Sequence, residues 1–197
     1  MSTYVAEYAP TSASPIRRAL YRAEIALLVG VASGIPFALI GLLATLTPND
    51  HHFRHAADYW YTGLGIPYLA APIVLLAALR SLHGGRDGRL GQAGFLVTAV
   101  ALGAILAMLP YGVAAGTSGG TGSAYPIAAF AADVGMLLFC IGAFRARLLP
   151  RPLVAAWLVA WVLGGALGPA WGTPLLVAVY MVIAGVLPRR IATVTAA

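Results

Sequence analysis

Lysine is absent from this chain, and cysteine occurs once, at Cys140. A single thiol excludes an intrachain disulfide and any metal centre built on several cysteines. Toward the end of an apolar run, it reads as a small packing residue. Charge of either sign is scarce. Only 9% of the 197 residues are charged, and six of those are acidic. A surface so poor in charge cannot keep a chain of this length monomeric in water, so lipid is the solvent for most of it. All twelve basic residues are arginine, which fits coding bias in a GC-rich bacterium better than a chemical requirement.

Apolar length is what the chain has instead. Hydrophobic residues make up 60% of it. They gather into six stretches, 25–46, 59–79, 93–115, 125–144, 152–167 and 171–187, most of them near the 20 or so helical residues that cross a hydrocarbon core roughly 30 Å thick. The arginines then set the orientation. Eleven of the twelve fall before the first stretch, in alternate linkers, or after the last: Arg17, Arg18 and Arg22; Arg80, Arg86 and Arg89; Arg145, Arg147 and Arg151; Arg189 and Arg190. Only Arg54 breaks the alternation. Cationic loops stay on the cytoplasmic side. The reading is an all-α polytopic membrane protein, a bundle of six transmembrane helices with both termini cytoplasmic. Residues 1–22 form a cytoplasmic tail rather than a signal peptide, 23–190 the helical domain, and 191–197 a second tail. The net charge of +6 is explained by this topology and by anionic headgroups, not by nucleic acid.

Within the first stretch, Gly30, Gly34, Ala38 and Gly41 form a small-residue stripe that lets another helix approach closely, in this chain or in a second copy. Pro36, with Ser33, loosens the first helix near its middle, and Pro67 and Pro72 kink the second. Tyr59, Trp60 and Tyr61 form an interfacial aromatic belt. The linker 116–124 is Gly/Ser/Thr-rich and uncharged, as a flexible connection requires. No internal repeat stands out.

Asp133 is the residue that could carry chemistry. It falls near the middle of the fourth stretch, where an ionised carboxylate costs at least about 2.5–3.5 kcal/mol. It must therefore face the bundle interior, neutral or hydrogen-bonded. Counting inward from the ends of each stretch puts Ser33, Tyr68, Tyr180, Trp161 and Trp157 at similar depth. Together they would make an acidic, aromatic-lined midplane site, with Asp133, Tyr68 and Tyr180 as the reactive groups and Ser33, Trp157 and Trp161 as ligand contacts. The competing reading is that Asp133 makes one interhelical hydrogen bond and only locks the bundle.

A second cluster is His51, His55 and Asp58. In a helix these fall at i, i+4 and i+7 on one face, a spacing that holds a divalent ion such as zinc. The alternative is a polar interfacial turn in contact with water and headgroups. The loop 83–89 places Gly, Arg and Asp where a phosphate can be cradled, but it lacks the strand–loop–helix setting of a nucleotide site, so headgroup contact is favoured. Glu24 beside Arg22 reads as an interfacial ion pair.

The segment from Leu137-Leu138-Phe139 through Ala143-Phe144-Arg145-Ala146-Arg147-Leu148-Leu149-Pro150-Arg151 resembles a pattern in small six-span actinobacterial membrane proteins. Arg80-Ser81-Leu82-His83, followed by its Gly-Arg repeats, is similar to their first inner loop. The resemblance covers about two thirds of the chain and implies a bacterial plasma membrane. By mechanism alone, Asp133 facing aromatic walls also resembles the small polytopic membrane terpene cyclases, whose embedded carboxyl groups protonate a prenylated substrate. Three functions stay open: binding or transport of a hydrophobic or amphiphilic small molecule; an acid-catalysed membrane enzyme, a cyclase or isomerase; and a scaffold without catalysis.

Overall fold

The computed structural model describes residues 15–45, 56–116 and 123–195, and all of its regular structure is helical. Six helices follow in order: α1 (Pro15–Thr45), α2 (Ala56–His83), α3 (Gly88–Ala115), α4 (Ala124–Ala146), α5 (Arg151–Ala166) and α6 (Gly168–Thr195). Five are long and apolar enough to cross a membrane, and α5 is a shorter apolar helix. At 1.5 Å per residue, the 16 residues of α5 reach only about 24 Å.

The helices overrun the apolar stretches at several ends. The first starts at Pro15, ten residues before Ile25, and the sixth continues through Pro188. Backbone hydrogen bonding continues past the point where side chains turn polar, because leaving the hydrocarbon costs a helix nothing in backbone satisfaction. Pro36, Pro67, Pro72, Pro110 and Pro174 all lie within helices, where neighbouring helices hold the backbone in place.

Glycine decides which helices meet. The closest pairing is between α3 and α4. Gly91 lies against Gly142, and Gly94 against Gly135 and Phe139, so the two run antiparallel with backbones in contact. A Cβ on Gly94 would lie 2.6 Å from the Gly135 carbonyl oxygen and collide with the Phe139 amide nitrogen. A Cβ on Gly135 would lie 2.5 Å from the Thr98 hydroxyl. This is the small-residue packing expected where lipid tails are as apolar as leucine. Gly164 and Gly172 do the same for α5 and α6, joined by the single residue Leu167 and Gly168 at φ 70°.

On α1, the predicted stripe is spent inside the chain. Gly30 seats Tyr180 of α6 and Ala71 of α2, and Gly34 seats Val177 of α6 and Tyr68 of α2. The contact between α4 and α5 is the smallest of the major pairings.

Candidate functional site

Asp133 stands on α4 at the border between two faces. Ala132 and Met136 beside it are buried, at 3% and 0% exposure. Phe130, Val134 and Leu137 are exposed to the surroundings of the bundle. Asp133 itself is half-buried. Trp161 of α5 is the side chain close enough to interact with the Asp133 carboxyl. The acid is therefore held at the α4–α5 seam.

Tyr68 and Tyr180 lie elsewhere. Tyr68 of α2 is buried against Gly34 of α1, with Thr173 of α6 near its hydroxyl. Tyr180 is 1% exposed, packed on Gly30 and edge-on to Trp157 with ring centres 6.4 Å apart. The Ser33 hydroxyl donates to the Val29 carbonyl of its own helix at 2.6 Å, which spends its donor locally. The residues placed at one depth thus form two groups. Asp133 and Trp161 make the first; Tyr68, Tyr180 and Trp157 make the second. Trp157 and Trp161, one turn apart on α5, stand between them.

The second group belongs to a column of rings. His83 stacks on Phe139 at 5.9 Å, Phe139 meets Trp157 edge-on at 6.2 Å, and Trp157 meets Tyr180. Near the other end, Phe37 stacks on Tyr68 at 5.1 Å and on Tyr61 at 4.5 Å. Tyr61 and His83 lie at opposite ends of α2, so the rings extend through most of the bundle. Offset and edge-to-face pairs of this kind add roughly 0.5–1.5 kcal/mol each beyond their burial.

At one end of this column lies a polar cluster that sequence reasoning assigned to headgroup contact. His83 is 1% exposed and Asp87 2%. Asp87 Oδ2 lies 3.8 Å from Arg80 Nε and 4.0 Å from His83 Nδ1. Neither nitrogen of His83 makes a hydrogen bond, and Asp87 Oδ2 makes none. Arg80 also lies over the Phe95 ring, 5.7 Å from its centre. Positive φ at Gly84, Gly85 and Gly88 lets the α2–α3 turn fold back and bury these groups. The sequence signal for this was the density of glycine around them.

His51 and His55 lie outside the described residues. Asp58 sits in the first turn of α2, and its carbonyl accepts from the Thr62 hydroxyl at 3.0 Å. Among the described residues no three His, Cys, Asp or Glu side chains gather into a metal-binding group. Cys140 is 1% exposed within the core, as a packing residue is. Glu24 is exposed on α1.

Comparison with protein-family models, with curated proteins and with solved structures returns no match.

Proposed function

We propose that this is a six-span protein of a bacterial plasma membrane, both termini cytoplasmic, that binds or transports a hydrophobic or amphiphilic small molecule at Asp133. The molecule enters from the bilayer through the α4–α5 seam. What supports this reading is the half-exposed carboxyl beside Trp161, on a helix whose neighbouring side chains face lipid. A packing residue alone would be better served by full burial, because polar groups in hydrocarbon are costly. An acid and an indole at one seam suit a ligand with a cationic or hydrogen-bonding head on an apolar body. In this reading the short α5 also spans, as the fifth of six, and the bilayer thins locally to match its length.

The test compares Asp133→Asn with Asp133→Leu. Protein is extracted with its surrounding lipid, and co-extracted small molecules are identified by mass spectrometry. The Asn variant is expected to melt at the wild-type temperature and to lose the bound molecule roughly tenfold or more, since a group held by a buried charge is worth about 1.5–3 kcal/mol. The Leu variant loses it completely. An Asn variant that keeps its co-extracted molecules and fully complements a gene deletion would sink the site.

Orientation has its own test. Single cysteines are placed in each loop of a Cys140→Ala background and treated with an impermeant maleimide. Labelling is expected within 47–57 and 116–124 and not within 80–90 or 144–152. External labelling of the 144–152 loop reverses the assignment.

A further inference from the structure

Five arginines follow Asp133 in the chain: Arg145, Arg147, Arg151, Arg189 and Arg190. The α4–α5 connection decides where three of them go. Leu148 and Leu149 are buried at 6% and 3% exposure, which pins the loop to the core. Arg145, Arg147 and Arg151 are left exposed around those two anchors. Arg147 caps α4 in the left-handed region, φ 56°, with its amide donating to the Ala143 carbonyl at 3.2 Å. It is the only non-glycine with positive φ among the described residues. Against the end of this loop the last turns of α6 form a concavity of about 340 Å³, lined by Pro150, Val186, Arg189 and Arg190. Pro150 is the N-cap of α5, and its carbonyl accepts from the Leu153 and Val154 amides at 3.0 and 3.1 Å.

The basin is shallow and open to its surroundings, as suits a headgroup held at a surface rather than an enclosed ligand. Its lining is two arginines and the apolar side chains of Pro150 and Val186. Guanidinium forks match phosphate oxygens, and basic hollows between transmembrane helices take lipid headgroups. We propose that this basin is a specific site for one anionic glycerophospholipid: Arg189 and Arg190 grip its phosphate, and Val186 lies along the start of its acyl chain. The ligand is a component of the leaflet, distinct from the molecule bound at Asp133, and the site does not depend on that reading.

The experiment uses the full chain in neutral detergent, with native mass spectrometry to count retained lipid. The probes are phosphatidylglycerol, phosphatidylcholine and inorganic phosphate. Wild type is expected to retain one phosphatidylglycerol, with a saturable rise in melting temperature, and to retain phosphatidylcholine roughly tenfold more weakly. Arg189→Gln with Arg190→Gln should abolish retention, while Arg86→Gln on the α2–α3 turn leaves it intact. Val186→Trp fills the basin without touching any charge and should abolish retention as well. Three results overturn the proposal. One is equal loss in the Arg86→Gln variant, which would mean diffuse charge attraction. Another is full retention by the Val186→Trp variant. The third is inorganic phosphate stabilising the protein as well as the lipid does at equal concentration, which would make the ligand a soluble anion.

Discussion

Replacing Gly94 with valine is expected to separate α3 from α4 and leave no folded protein after extraction into mild detergent. The atoms in the way are backbone: the Phe139 amide nitrogen and its Cα at 2.7 Å, and the Gly135 carbonyl oxygen at 2.6 Å. Flexible side chains can swing aside, but a helix backbone can only retreat as a unit. Overpacking of a core costs about 1–3 kcal/mol where side chains absorb it, and more where they cannot. Even alanine at this position should lower the melting temperature clearly. Gly103 of the same helix supplies the control. A Cβ there meets nothing within 4 Å, so Gly103→Ala should be neutral or mildly stabilising through helix propensity. The measurement is the melting temperature and the yield of monodisperse protein. Equal behaviour of the Gly94→Ala and Gly103→Ala variants would show that the α3–α4 contact is looser than described.

The second large effect is expected at Asp87. Its carboxyl fills the space over Gly91, and a Cβ on Gly91 would lie 2.6 Å from Oδ2. Asp87→Ala leaves a void there and leaves Arg80 facing buried His83 without its counter-charge. Breaking a fully buried ion pair costs about 3–5 kcal/mol. The Arg80 side chain keeps 31% of its exposure, so water relieves part of that. The expected loss is about 1–3 kcal/mol, the cost of an unsatisfied polar group. Arg80→Leu in the same background should restore part of the stability, because the orphaned charge is then gone. The double-mutant cycle isolates the pair. Additive losses would mean that Arg80 and Asp87 are neighbours without coupling.

Helix number and approximate position were legible from hydropathy, since a span has to match the bilayer. The ends were not, because α1, α2 and α6 run on into polar sequence without a breaking signal. Counting made a depth legible for Asp133 and Trp161, which stand on helices that touch. Azimuth was not legible. Apolar and small residues surround α4 on every side, so periodicity does not say which face of it is inward. Tyr68 and Tyr180, counted to the same level, pack around Gly34 and Gly30 of α1 instead. Gly30 and Gly34 were legible as a docking stripe, and only the structure shows that Tyr180 and Tyr68 of the same chain fill it. The burial of His83 and Asp87 was hidden for another reason. A Gly-rich basic loop reads as exposed, and three left-handed glycines fold it inward.

The ring column has a kinetic consequence. Phe139, Trp157 and Tyr180 are each at 1% exposure or less, so this part of the column is closed packing rather than a lined passage. On the proposed reading, a ligand of Asp133 therefore comes through the α4–α5 seam from the membrane, and its apparent affinity measured in solution is expected to scale with its partition coefficient. A homologous series with lengthening alkyl tails should bind more tightly in step with its partitioning, roughly 0.8 kcal/mol per added methylene, until the tail outgrows the leaflet.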